Sequence, residues 1–139
     1  AEGVLGLLAE EVGYPFNHIP TKAFLSFAAG FQQATLCGSI GTGAAAIGMV
    51  ADGKLQKELV SEVIKWYKDF PFPKYQPAGL NLSTTVSKSE LCRDSVGKWM
   101  EATGIGYDDP KRKERCAGVS ADVASHIIEL LNERLAKQA

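Results

Sequence analysis

Cys37, Cys92 and Cys116 are the three cysteines of this chain and its side chains best suited to chemistry. A thiolate is a nucleophile and a ligand for soft metals and iron–sulfur clusters. Three cysteines are too few for a disulfide scaffold, and the odd number points to a free thiol, a metal site or a missing fourth cysteine. Their spacing contains no CxxC pair, no CxxCH haem-attachment motif and no zinc-type pairing, so buried, inert cysteines are an equal reading of the spacing alone. Each falls in or near the first or second turn of a helical segment. There, unpaired amide N–H groups and the helix dipole favour a thiolate.

Cys37 also opens the run Leu36-Cys37-Gly38-Ser39-Ile40-Gly41-Thr42-Gly43-Ala44-Ala45-Ala46-Ile47-Gly48, which carries no charge and few side chains larger than methyl. Glycine inside a helix costs about 1 kcal/mol against alanine, so four glycines here need a reason. Either the segment is a central helix pressed by its neighbours, or its backbone wraps a cofactor held partly by Cys37. Gly38, Gly41 and Gly43 evoke a dinucleotide loop, but that fingerprint follows a strand, whereas Phe31 to Leu36 continues a helical pattern.

Other chemistry fares worse. His18 lies in a proline-bounded loop and reads as solvated. His126 sits mid-helix, four residues from Asp122, and reads as half of a helix-surface pair. Neither histidine has a sequence-evident link to a cysteine that would make it the base of a nucleophilic pair. Glu10-Glu11 and Asp108-Asp109 are adjacent, and adjacent residues do not face one site. Lys111-Arg112-Lys113 is offset by neighbouring carboxylates. No catalytic residue is assigned.

The elements that must position the cysteines are helical. Gly3 to Val12 puts Val4, Leu7, Leu8 and Val12 on one face, a short first helix. After a Pro15–Pro20 break, Thr21 caps a helix over Lys22 to Gln33, whose stripe of Phe24, Phe27, Ala28 and Phe31 reads as core packing. The small-residue helix runs from Cys37 or Gly38 to Val50. Leu55 to Phe70, with Leu55, Leu59, Val63, Trp66 and Tyr67 in phase, is the clearest amphipathic helix. Pro71 to about Val86 has no helical period and reads as a long irregular loop near 71–87. Ser87 or Ser89 caps a helix through Val96, Trp99 and Met100, closed by Gly104 and Gly106. Asp109 caps, and Pro110 begins, a last helix to about Ala136, with Cys116, Val119, Val123, Ile127, Leu130 and Leu131 inward. No strand pattern competes. The fold class is all-α, about six helices around the central small-residue helix.

At 139 residues, 45% of them hydrophobic and 22% charged, the chain suffices for a single helical domain spanning 1–139. A formal net charge of −1 offers no case for nucleic acid or an anionic membrane surface. No apolar run is long enough for a transmembrane segment. The start at Ala1, without methionine and already amphipathic, is that expected of a processed product.

Three segments together carry a family resemblance: Leu36-Cys37-Gly38-Ser39-Ile40, Ser89-Glu90-Leu91-Cys92, and Glu114-Arg115-Cys116-Ala117-Gly118 with a long helix behind it. They resemble the four-cysteine redox-active proteins of the C_GCAxxG_C_C type, most closely the matching region of split-Soret cytochromes c. The resemblance spans nearly the whole chain. It implies a redox role in which Cys37, Cys92 and Cys116, with Gly38 beside the first, bind an iron–sulfur cluster or comparable metal site. Electron transfer with a redox partner protein is implied rather than turnover of a substrate, as is a periplasmic location; failing export, the cytoplasm. Read as CGAxxG from Cys37, the signature's alanine falls on Ser39 and its second glycine on Thr42. The family's first cysteine is expected just before the helix that begins near Ala1. With three thiolates alone, His18, His126, a carboxylate or water would complete a ligand set.

Two alternatives stand beside this reading. One is a cofactor-free structural or interaction domain that keeps the helical scaffold. The other is a domain holding haem without thioether bonds, to which Phe24, Phe27, Phe31 and Trp66 would lend an aromatic wall and His18 or His126 a ligand. The small-residue helix face could equally serve a homodimer contact.

Overall fold

Helical periodicity becomes helix over most of the chain in the computed structural model, which describes residues 1–137. The last two residues of the expected range 1–139 lie outside the described residues. Five α-helices carry the fold: α1 (Leu7–Glu11), α2 (Gly38–Val50), α3 (Gly53–Asp69), α4 (Cys92–Thr103) and α5 (Pro110–Ala136). Shorter helical turns fill the N-terminal third. The all-α expectation holds, with one qualification. Pro71–Phe72 (β1) and Thr85–Val86 (β2) pair antiparallel, Pro71 opposite Val86 and Phe72 opposite Thr85. Two residues are too few for an alternating pattern to register.

The core lies where α2, α3 and α5 meet, around Ile40, Ile47, Leu59, Val63, Tyr67, Val123 and Ile127. The small-residue run explains the approach of α2 to α5. A Cβ on Gly43 would collide with the Cδ1 of Ile127, and Ser39 Oγ meets Ser120 Oγ at 2.8 Å across the same interface. Leu59, Val63 and Tyr67 of α3 are buried as their spacing predicts, and Arg134 ties α5 to α3 through Glu58 and Glu62.

Three local expectations are corrected. In the first helix, a π-helical turn over Glu2–Gly6 precedes α1, so Val4 and Leu5 are buried while Leu7 and Val12 are exposed. A wider turn shifts the phase of the buried face. The expected helix over Lys22 to Gln33 is instead a 3-10 stretch, Thr21–Phe27, followed by left-handed backbone at Ala29 (φ 53°), Gly30 (φ 60°), Phe31 (φ 58°), Gln32 (φ 61°) and Ala34 (φ 55°). Its phenylalanines stack on one another, Phe27 and Phe31 with centroids 4.6 Å apart; Phe24 packs against the core, partly buried, while Phe31 is exposed. Ser89 does not cap α4. Its hydroxyl accepts the Leu91 N–H, and Leu91 takes the cap position. Gly104 (φ 71°) closes α4, and Asp109 accepts the Lys111 N–H at the start of α5, as expected.

The segment between the strands is ordered by side chains standing in for a sheet. Gln76 accepts the Leu82 N–H and donates to the carbonyls of Pro73 and Leu82, while the Trp99 indole donates to the Ser83 carbonyl at 2.8 Å. Asp122 of α5 accepts the N–H groups of Lys74 and Tyr75 at 2.7 and 3.0 Å. It is therefore the anchor of this segment and not the partner expected for His126. Gly118, one turn earlier, lets the segment lie flat, since a Cβ there would stand 2.6 Å from the Tyr75 carbonyl oxygen. Asp122→Ala leaves two backbone donors without their carboxylate and is expected to cost about 2–3 kcal/mol in urea unfolding. A loss below about 0.5 kcal/mol would show that the segment is held by other means.

Candidate metal centre

Cys37 and Cys92 are brought together by backbone. Leu36 and Leu91 form an isolated antiparallel bridge. Across it the Cys37 N–H donates to the Glu90 carbonyl at 2.9 Å, and the Cys92 N–H donates to the Thr35 carbonyl at 2.6 Å. Helices α2 and α4 start immediately beyond, with Cys37 at the N-cap of one and Cys92 the first residue of the other. Neither N-terminus has a side-chain cap. Both helix starts therefore keep amide N–H groups and a positive dipole end beside a thiol.

Cys116 reaches the same place from the second turn of α5. All three cysteines line one cavity of about 1040 Å³, together with Tyr67, Ser95 and Arg115. Each thiol is half-buried and free of disulfide. Two glycines clear the approach. A Cβ on Gly30 would stand 2.7 Å from the Cβ of Cys92, and one on Gly38 would strike the Phe27 carbonyl oxygen. Gly38, expected beside the site, thus lines it through backbone. Neither His18 nor His126 lines this cavity. His18 stands edge-on to Tyr14 (centroids 5.4 Å), and His126 stacks on Trp66 at 3.9 Å with its pKa lowered by burial.

Burial first, then Cys37 and Cys116, push the Cys92 thiol up to about 11. Arg115 and Arg112 oppose them. Burial and then Cys37 likewise raise the pKa of the Tyr67 hydroxyl, which donates to Ser95 Oγ at 3.1 Å. Among the described residues, no three His, Cys, Asp or Glu side chains converge tightly enough to enclose one bare metal ion. A cavity of this volume suits a larger group.

Arg115, Ser95 and Tyr67 were not assigned from sequence. Arg115 is 1% exposed, its Nη2 donates to Ser95 Oγ at 2.9 Å, and its Nε has no hydrogen-bond partner. The signal was present for Arg115, because the inward face of α5 at Val119 and Val123 projects back through it. A charged residue beside Cys116 reads as solvent-facing until the cavity is seen.

The chain's residues 1–130 match the model of the family described as "Putative redox-active protein (C_GCAxxG_C_C)". It belongs to that family. It is also 28% identical to the split-Soret cytochrome c of Desulfovibrio desulfuricans over 139 residues, 95% of this chain and 50% of the relative. A solved structure reported under "A novel iron centre in the split-Soret cytochrome c from Desulfovibrio desulfuricans ATCC 27774" superposes with a TM-score of 0.90 at 28% identity. That match covers 96% of this chain and 58% of the other. The chain spans about half the length of the curated relative it matches.

The family's signature also corrects the placement of its glycine. With Cys37 as the cysteine of GCAxxG, the alanine position falls on Gly38 and the last glycine on Gly41, which is present, rather than on Ser39 and Thr42. A Cβ at Gly41 would stand 2.9 Å from the Phe31 ring, so that ring would have to shift to admit one.

The raised Cys92 pKa has a direct readout in metal-free protein. At pH 8 its thiolate fraction, and with it the rate of iodoacetamide alkylation, is expected to be about a hundredfold below that of a thiol at the ordinary value of 9. The folded state holds this proton more tightly than the unfolded chain. The group therefore favours the fold below pH 9, and that advantage is lost as pH rises through about 11. Peptide-resolved alkylation showing Cys92 as the fastest of the three thiols would contradict the assignment.

Proposed function

We propose that this chain is an electron-transfer protein carrying an iron–sulfur cluster on Cys37, Cys92 and Cys116, and that it exchanges single electrons with a redox partner protein. The observation that carries the reading is the convergence of three sequence-distant thiols on one cavity, where Cys37 and Cys116 both help to raise the pKa of Cys92. Such an arrangement is neutralised by cationic metal. The residues fit this group in kind and in space. Thiolates are the usual ligands of iron–sulfur clusters, the cavity exceeds what one ion needs, and the relative's reported iron centre belongs to the same family of folds. Ala1 and Glu2 line the same cavity. The place where the resemblance puts the family's first cysteine thus adjoins the three found here, and a fourth thiolate there would complete the set.

Bound there, the cluster would supply reversible one-electron chemistry. The chain's own part is to hold and shield it. Cys37, Cys92 and Cys116 ligate, and the first turns of α2 and α4 direct N–H dipoles toward the ligand sulfurs, which favours their ionised form. Phe24 and Phe27, which also line the cavity, limit water.

Anaerobic reconstitution with iron and sulfide is expected to give coloured protein containing both. Cys37→Ser, Cys92→Ser and Cys116→Ser should each weaken iron retention at least about tenfold while far-ultraviolet circular dichroism stays helical. Colourless, metal-free wild-type protein with three freely titrating thiols would defeat the proposal.

A further inference from the structure

Arginine is used in two ways along α5. Arg134 is half-exposed and paired with two carboxylates, Glu58 and Glu62. Arg115 is buried, lines the cysteine cavity, and among the described residues has no carboxylate within ion-pair distance. Its fork is met by one neutral hydroxyl, that of Ser95, which also accepts from Tyr67. Its Nε is orphaned. A guanidinium does not give up its proton in a protein, so its burial cannot be relieved by neutralisation as a lysine's can. A buried charge persists when something of opposite sign is held against it. The groups in the cavity lining able to become negative include the three thiols, the Tyr67 hydroxyl and the exposed Glu2 carboxylate, which makes no ion pair with Arg115.

We infer that Arg115 is the fixed counter-charge of the cysteine cavity: its guanidinium, steadied by Ser95, offsets the negative charge of the thiolate-bound iron group and raises its reduction potential. This rests on the iron reading above. Reduction brings in one electron from a one-electron donor protein and so adds one negative charge to the cavity. No bond forms or breaks at Arg115, and no proton moves to or from it. A fixed cation stabilises the reduced state more than the oxidised one, most strongly where water is excluded. Arg115 is therefore a tuning and positioning residue, not a ligand.

The test compares wild type, Arg115→Met and Arg115→Lys, each reconstituted anaerobically and each also metal-free. At an ambient potential poised on the wild-type midpoint, Arg115→Met is expected to lower the reduced-to-oxidised ratio at least about tenfold. For a one-electron couple that is a midpoint about 59 mV more negative. Arg115→Lys, which keeps the charge, should lower it less than about threefold. Melting gives a second readout. Arg115→Met should melt below wild type when loaded, but no lower than wild type when metal-free, because an uncompensated buried cation has been removed.

An arginine that merely props α4 against α5 would behave otherwise. Its loss would lower melting in both states and leave the ratio within about twofold, and that result overturns the inference, as would metal-free Arg115→Met failing to fold. Wild-type protein that takes up no iron defeats the iron reading, and this inference with it, before any variant is compared. Iron-loaded variants with an unchanged midpoint defeat the Arg115 assignment alone.

Discussion

Two backbone hydrogen bonds across the Leu36–Leu91 bridge hold together segments more than fifty residues apart, and the site depends on them. Because α2 begins two residues after Leu36 and α4 begins at the residue after Leu91, fixing the bridge also fixes the direction of both helices and the position of both thiols. The arrangement demands close backbone approach on both sides. Gly38 passes against the Phe27 carbonyl, and Gly30 packs against Cys92 and Thr35. The preceding left-handed backbone at Ala29, Phe31, Gln32 and Ala34 is unfavourable for L-residues by about 1–2 kcal/mol each. Such conformations persist where surrounding contacts over-determine them. Here the Thr35 hydroxyl and N–H both return to the Gly30 carbonyl, and the Thr35 carbonyl receives Cys92.

The third arm of the site is a long rigid helix that serves several purposes along one face. Asp109 and Pro110 set where α5 starts, and the start sets the phase of everything after it. Arg115 and Cys116 then face the cavity, Gly118 and Asp122 receive the segment after β1, and Ile127 and Leu131 enter the core. The glycines of α2 allow this helix to lie close enough for Cys116 to share a cavity with Cys37. Packing and chemistry are therefore coupled. The small-residue run is a core helix, and Cys37 at its start lines the same cavity as Cys92 and Cys116.

Charge follows the same geometry. Two uncapped helix N-termini and a buried guanidinium stand around three half-buried thiols. Low polarity around Cys92 makes that thiol reluctant to ionise. The same low polarity strengthens the hold of these dipoles and of Arg115 on any negative group that is bound.

Period, caps and breakers sufficed for α3, α4 and α5, because Leu59-Val63-Tyr67, the closing Gly104 and the Asp109-Pro110 pair act through local backbone and burial. The three cysteines, too, were legible as candidates from their place at helix starts. Less was legible between Thr21 and Thr35, where a regular phenylalanine spacing looks helical but the chain must turn to reach Leu91. The role of Asp122 was hidden as well, since its partners are the backbone of Lys74 and Tyr75, not a side chain at helical spacing. Arg115 shows the limit most clearly: its phase along α5 was readable, its burial without a carboxylate was not. A sequence carries its local periods along one dimension. Which charge is left unpaired, and which thiols share a cavity, depends on segments that meet only when the helices pack.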